Sequence, residues 1–166
     1  MLLAAVPARA ASLNDVPVGE YIRLHVMAED DSDAAQALKL EVRDACLTAA
    51  RALLADCDGA DAAWARIGEN RVALAAAATE RARELGYAGE IKAVAGVFDF
   101  PDRYYGGVFV PAGRYRALRV VIGAGAGHNW WCVLYPSLCL PEGPEGGMPF
   151  HSAILDWLRG LLGGGR

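Results

Sequence analysis

Alternating apolar and polar positions predict a strand near the start of the chain. Residues 20 to 28 alternate in the way typical of a strand that is buried on one face. One side of this strand carries Ile22, Leu24 and Val26. The other side carries Tyr21, Arg23 and His25. We therefore expect one face to lie in a core and the other face to be more polar.

A helical region follows this strand. Apolar residues recur at steps of three and four, which predicts an amphipathic helix. Its start is indicated by Asp33 with Gln36 three residues later, which resembles a capping box, or alternatively by Ser32. The same pattern resumes over residues 61 to 85, with an interruption at Gly68. The region is therefore predicted to hold two to three helices.

From residue 89 the period changes to two, which predicts strands joined by turns as far as Tyr135. A glycine-rich stretch at residues 123 to 127 lies between two of these strands. It lacks the third glycine of a dinucleotide-binding fingerprint and no helix follows it, so we interpret it as a flexible hairpin loop. No motif in the chain predicts a cofactor.

Together these elements predict an α+β fold. It has an N-terminal strand, two to three helices and a mainly antiparallel sheet of three to four strands, in a single domain with a C-terminal amphipathic segment. The domain is placed at residues 19 to 140, and residues 1 to 18 are interpreted as the remnant of an export signal or a disordered tail. Residues 141 to 166 are interpreted as a linker rich in Pro and Gly with the amphipathic segment after it.

Composition narrows the classes of protein to consider. A chain of 166 residues can bury one substantial core. The formal charge of -4, with no block of like charges, argues against a nucleic-acid surface. No apolar run approaches the roughly 20 residues that span a bilayer, whereas Ala8-Arg9-Ala10 matches the cleavage pattern of a secretion signal. We therefore expect an exported protein that does not itself span a membrane.

Reactive residue types are concentrated at residues 127 to 139, which hold two of the four Trp, two of the four Cys and one of the three His. One hypothesis is a secreted hydrolase with a thiol nucleophile. Its nucleophile would be Cys132, its base His25 or His128, and its orienting group Asp30 or Asn129. Such a site requires Cys and His side chains that are adjacent in space, which the spacing alone does not show.

The same stretch also suggests a zinc-stabilised binding module. Its ligands would be His128, Cys132, Cys139 and His151, although their spacing lacks the close pairs typical of structural zinc sites. A disulfide between Cys132 and Cys139 would use the same two sulfurs, and Pro136 favours the chain reversal that this bond needs.

Trp130 and Trp131 are expected to point to opposite faces of a strand, so at most one of them belongs to the core of a two-layer domain. The other is either an anchor for protein contacts or is covered by the C-terminal segment.

Two blocks of sequence resemble the stage II sporulation protein R family. The first block comprises Tyr21-Ile-Arg-Leu-His-Val26, Asp31-Ser32, Gln36-Ala-Leu-Lys-Leu40 and Val42-Arg-Asp44. The second comprises Phe100-Pro101, Tyr105-Gly106, Pro111-Ala-Gly113, Tyr115, Ala117-Leu-Arg-Val-Val-Ile-Gly123 and His128-Asn-Trp-Trp-Cys-Val-Leu134 with Cys139. This chain departs from the family in the loop before His128, where Ala124 and Ala126 replace residues that are usually charged.

The resemblance implies an exported signalling protein of endospore-forming bacteria, without chemistry of its own. Such a protein would be made in the forespore and act in the intermembrane space between forespore and mother cell. Its implied partner is a membrane-embedded aspartic protease of the mother cell, which processes the precursor of sigma factor E once activated.

On this basis we expect a partner-facing surface near the tryptophan pair. Its members would be His25, Asp30, Asp31, Asn129, Trp130 and Trp131. The disulfide between Cys132 and Cys139 would hold that end of the domain rigid.

Replacing both Cys132 and Cys139 by Ser should therefore lower the free energy of unfolding by about 2 to 3 kcal/mol, because the short loop would no longer restrict the unfolded chain. Urea denaturation measures this change, and activation of the protease should fall with it. Titration of thiols under native and denaturing conditions is the control, since a reactive Cys132 thiol would instead favour the hydrolase. Normal activation by the double variant would contradict the proposed rigidity.

Overall fold

A four-stranded mixed sheet with two helices on one face forms the centre of the protein. The structure is a computed structural model that describes residues 18–105 and 108–136. Its elements are β1 (Ile22–Met27), α1 (Asp33–Leu54), α2 (Ala60–Glu84), β2 (Ile91–Phe100), β3 (Arg103–Tyr105), β4 (Val108–Val110), β5 (Gly113–Ile122) and β6 (Asn129–Tyr135). The predicted α+β fold is confirmed, whereas the predicted C-terminal segment lies outside the described residues.

The first strand of the chain lies in the middle of this sheet. The strand order is β2-β5-β1-β6, and β3 pairs with β4 in a separate two-stranded sheet. β1 runs parallel to β5, while the pairs β1 with β6 and β2 with β5 are antiparallel. The sheet therefore joins residues from both ends of the domain.

Local signals set the limits of both helices. Ser32 caps α1, because its Oγ accepts a hydrogen bond from the backbone N–H of Ala35 at 3.2 Å. Gly59 and Gly86 flank α2 with φ values of 100° and 84°, a region that favours glycine. α2 continues through Gly68, so the described chain has two α-helices, and a short 3-10 helix (Val18–Glu20) precedes β1. No helix in this part of the chain is both long and apolar enough to cross a membrane.

The helices bury one face of the sheet. Their core includes Ile22, Leu24 and Val26 of β1, Leu118, Val120 and Ile122 of β5, and Val42, Ile67, Leu74 and Ala78 of the helices. The antiparallel neighbours contribute Ile91 of β2 and Cys132 and Leu134 of β6. This core accounts for the apolar side of the alternation predicted for β1.

The opposite face, called here the outer face, is partly buried as well. Tyr21, Arg23 and His25 are only 3%, 0% and 2% exposed, so the prediction of a strand buried on one face alone was wrong for β1. Their cover is a second cluster that includes Phe100, Tyr105, Val110, Tyr115 and Val133. Alternation alone could not reveal this, because aromatic and basic side chains also bury their apolar parts.

The glycine-rich stretch between β5 and β6 is not the hairpin loop that its sequence suggested. β5 and β6 lie on either side of β1, so the chain crosses over the end of β1 instead of returning beside β5. The backbone N–H groups of Ala126 and Gly127 donate to the carbonyl oxygens of Glu29 and Ala28, each at 3.0 Å. These bonds fix the crossing to the segment that leaves β1.

Gly127 is required at this crossing by close contact. A Cβ at this position would lie far inside contact distance of the Asp30 carbonyl, a rigid backbone group. We expect Gly127→Ala to lower the free energy of unfolding by about 1 to 3 kcal/mol, as overpacking does. Gly68→Ala is the matched control, because a Cβ there meets nothing within 4 Å and the helix should gain about 0.5 to 1 kcal/mol. Urea denaturation of both variants tests this, and equal effects would contradict it.

Candidate protein-binding surface

A single row of side chains crosses the outer face from one edge of the sheet to the other. The strand registers place Val94 opposite Arg119, Arg119 beside His25, and His25 opposite Trp131. These four residues are called here the central row. Val94 is 46% exposed, and Arg119 and Trp131 are partly exposed, so this part of the outer face is accessible to solvent.

Trp131 is held on this face by two other rings. Its indole stacks on the imidazole of His25, with ring centres 3.7 Å apart and planes 15° apart. Phe100 meets the Trp131 ring edge-on, with centres 5.0 Å apart. The result is a large aromatic side chain that remains partly exposed but has little freedom to move, which is what an anchor for protein contacts requires.

His25 lies beneath this indole and not on the surface as predicted. Neither of its ring nitrogens has a hydrogen-bond partner of acceptable geometry in the described part of the chain. Burial, with a smaller contribution from the charge of Arg119, lowers the pKa of His25 from 6.5 to about 4, and the nearby Asn129 side chain acts in the opposite direction. The imidazole is therefore neutral at neutral pH.

Arg119 is positioned by Phe98 on the neighbouring strand. The guanidinium carbon of Arg119 lies 3.8 Å from the centre of the Phe98 ring, a close cation–π contact. Its Nε atom is buried and has no hydrogen-bond partner within residues 18–105 and 108–136. The side chain is thus fixed in place without using its capacity as a hydrogen-bond donor.

Arg23 lies two residues before His25 on the same face of β1 and has a structural role. It is fully buried, and the rings of Phe100, Tyr105 and Tyr115 surround its guanidinium at 4.6, 5.4 and 5.1 Å. Nη2 donates to the Tyr105 hydroxyl at 2.6 Å, and Nε donates to the Cys132 carbonyl at 3.2 Å. Arg23 therefore attaches the β3–β4 pair to the sheet. Sequence reasoning gave it no role, although a basic residue within an alternating strand was a signal.

The predicted contact residues Asp30 and Asp31 organise the rim of this surface. Both are exposed, and Asp31 accepts hydrogen bonds from the backbone N–H of His128 at 2.6 Å and from the His128 ring. These bonds hold the pKa of Asp31 below its usual value. The side chain of Ser32, and its backbone N–H at 2.9 Å, donate to the Asp30 carboxylate and lower its pKa in the same way. The Asp31 carboxylate thus connects the segment after β1 to the segment before β6, while Asp30 stabilises the turn before α1.

Trp130 and Trp131 lie on opposite sides of β6, as the alternation predicted. Trp130 packs against the core beneath the helices, with the Arg43 guanidinium carbon 4.9 Å from the centre of an indole ring. Asn129 is exposed at the start of the strand. Of the predicted contact residues, Asn129 and Trp131 therefore belong to the outer face, while Trp130 belongs to the helix side.

The structure does not assemble the thiol site. Cys132 is fully buried in the core on the helix side, whereas His25 belongs to the outer face. His128 is at the surface, where its ring contacts Asp31. No group of three or more potential metal ligands occurs in the described residues, and Cys139 and His151 of the hypothetical zinc site lie outside them. Because Cys139 lies outside the described residues, the disulfide between Cys132 and Cys139 stays a prediction.

A shallow cleft of about 500 Å³ lies between the start of α1 and the segment at Leu85 to Tyr87 that follows α2. Its walls combine the carboxylates of Glu29, Asp30 and Glu41 with Leu38 and Tyr87. This cleft does not reach the central row, so it forms a separate feature of the surface.

The burial of His25 predicts a specific dependence of stability on pH. The unfolded chain binds a proton at His25 below pH 6.5, whereas the folded protein does so only near pH 4. As pH falls through this window, stability should therefore decrease by up to about 3 kcal/mol from this group. His25→Phe keeps a ring against Trp131 and cannot titrate, so urea denaturation at pH 7.5 and 4.5 should show a smaller loss. An identical loss in both proteins would be inconsistent with this pKa.

Comparison with known proteins agrees with the resemblance found in the sequence. Residues 18–143 match the family described as Stage II sporulation protein R. The chain is 34% identical over 127 residues to Stage II sporulation protein R of Bacillus subtilis, an alignment that covers 76% of this chain and 57% of that protein. No solved structure matches. The chain therefore belongs to the Stage II sporulation protein R family.

Proposed function

We propose that this protein is an exported sporulation signal that activates a membrane-embedded aspartic protease of the mother cell. Activation would lead that protease to process the precursor of sigma factor E. Support comes from membership of the family and from the Bacillus subtilis relative, whose name assigns it to stage II of sporulation. The chain spans 57% of that relative's length, and the activity of the whole relative is therefore part of this proposal.

The observation that carries a binding role is the environment of Trp131. Its indole is partly exposed, and His25 and Phe100 hold it from behind and from the side. A rigid aromatic side chain of this kind loses little conformational entropy on binding and provides a large apolar contact area. Activation by contact, without chemistry performed by the signal itself, fits this surface.

The surface we assign to the partner combines residues from two parts of the domain. Trp131 and Asn129 provide direct contacts, and Asp30 and Asp31 define the rim. His25 supports Trp131 from below and does not itself reach the surface in this conformation. Trp130 lies on the helix side, where the Arg43 guanidinium packs over it, so we do not assign it to this surface.

Co-expression in a host that does not sporulate tests the function directly. The export-competent protein is produced with the protease and the sigma-factor precursor, and shortening of the precursor is followed by immunoblot. We expect processing only when all three proteins are present and the catalytic aspartate of the protease is intact. Processing that is independent of the signalling protein would refute the proposed function.

Trp131→Ala tests the surface in the same assay. We expect at least about a tenfold loss of processing, since removal of a central aromatic anchor commonly costs 2 kcal/mol or more. Tyr104→Ala is the matched control, because Tyr104 is 62% exposed on β3, outside the central row. Thermal unfolding must show that both variants remain folded. Equal processing by the two variants would contradict the assignment of Trp131.

A further inference from the structure

Two arginines on the outer face of the sheet have no carboxylate partner among the described residues. Strand alternation and the two core clusters place Arg23, Lys92 and Arg119 on this face. No Asp or Glu side chain of the four strands lies there. Lys92 pairs with Glu90, just before β2, at 3.0 Å, whereas neither arginine has a carboxylate partner in the described residues. On the helix side, by contrast, Arg81 and Arg116 pair with Glu41 and Asp61.

Four nitrogen atoms of three neighbouring side chains on this face have no hydrogen-bond partner among the described residues. These are the Nε of Arg119, both ring nitrogens of His25 and the Nη1 of Arg23, all buried and without partners among the described residues. Only 2% of the surface of His25 is exposed, so water does not freely replace a protein partner for its ring nitrogens. Buried polar groups in folded proteins nearly always have a hydrogen-bond partner. An unused Arg119 donor beside an unpartnered imidazole, at a partly exposed surface, therefore indicates a missing acceptor.

The geometry specifies what kind of acceptor fits. Arg119 lies beside His25 in the strand register, and Phe98 fixes its guanidinium in place before any ligand arrives. Trp131 on the far side of His25 provides an apolar wall, and Val94 continues this surface beyond Arg119. A planar carboxylate can accept two hydrogen bonds at once, which suits a guanidinium that is already fixed in place.

We propose that the central row binds a carboxylate side chain from an acidic segment of the partner protein. The carboxylate accepts hydrogen bonds from the Arg119 guanidinium beside His25, and the Trp131 indole keeps its stacked position. The apolar neighbours of that carboxylate pack against Trp131 and Val94. This proposal rests on the proposed function for the identity of the partner, and on charge complementarity for its chemistry.

Charge reversal on β5 tests this proposal in the processing assay. Arg119→Glu should reduce processing by at least about tenfold, because it places a carboxylate opposite the carboxylate of the partner. Arg114→Glu is the matched control: Arg114 is an exposed arginine of the same strand on the other side of the sheet, and its substitution changes the net charge equally. Replacement of individual exposed Asp or Glu residues of the protease by Arg should restore processing with Arg119→Glu at one position. Wild-type processing by Arg119→Glu would overturn the carboxylate contact and leave the proposed function intact.

A peptide titration decides the chemistry even if the protease is not the partner. The probe is the acetylated, amidated peptide Leu-Glu-Leu-Glu-Leu, and its Leu-Gln-Leu-Gln-Leu counterpart is the control. In nuclear magnetic resonance spectra, the acidic peptide should shift the signals of the His25 ring and the Trp131 indole N–H, and Arg119→Gln should abolish these shifts. Equal shifts with the glutamine peptide or with inorganic phosphate, or no shift with any probe, would overturn the proposal. A wild-type protein that binds the acidic peptide but fails to support processing would refute the proposed function alone.

Discussion

The pairing of β1 with both β5 and β6 is the constraint on which the rest of the structure depends. Because β1 occupies the centre of the sheet, its two neighbours must be joined by a chain that crosses over its end. That crossing brings His128 to Asp31, and Lys39 of α1 donates to the His128 carbonyl at 3.1 Å. The crossing also makes β6 run antiparallel to β1. This pairing places Trp131 on His25 and Trp130 beneath the helices.

Local signals were sufficient to predict the elements but not their arrangement. The helical period, the Ser32 cap and the change to alternation after residue 89 each correspond to an observed helix or strand. The parallel partner of β1, in contrast, lies more than 90 residues away, and nothing in either strand encodes which neighbour it takes. For the same reason the glycine-rich stretch was misinterpreted as a hairpin, since its local composition suits a crossing equally well.

The candidate site was predictable in part, and the limits have a physical origin. Trp131 and Asn129 were found because Trp, Cys and His are concentrated at residues 127 to 139. His25 was assigned to a surface because polar residues on an alternating strand are usually solvated, yet the rings of Phe100 and Trp131 pack against its imidazole and bury it. Arg119 was missed entirely. Its importance follows from the register that sets it beside His25 and from its contact with Phe98, neither of which is visible in the sequence.

The central place of β1 has a consequence for how the chain folds. Arg23 and the Cys132 carbonyl, which it contacts, are separated by 109 residues, so the innermost strand is among the first segments made and among the last to be completed. Until β6 is made, one edge of β1 has no partner. The side chains of Arg23 and His25, which are buried in the folded protein, are then still exposed. Native contacts between such distant residues slow folding, because a long loop must close before it is stabilised. The α1–α2 pair can form early, whereas the surface that includes Trp131 exists only when nearly the whole domain is present.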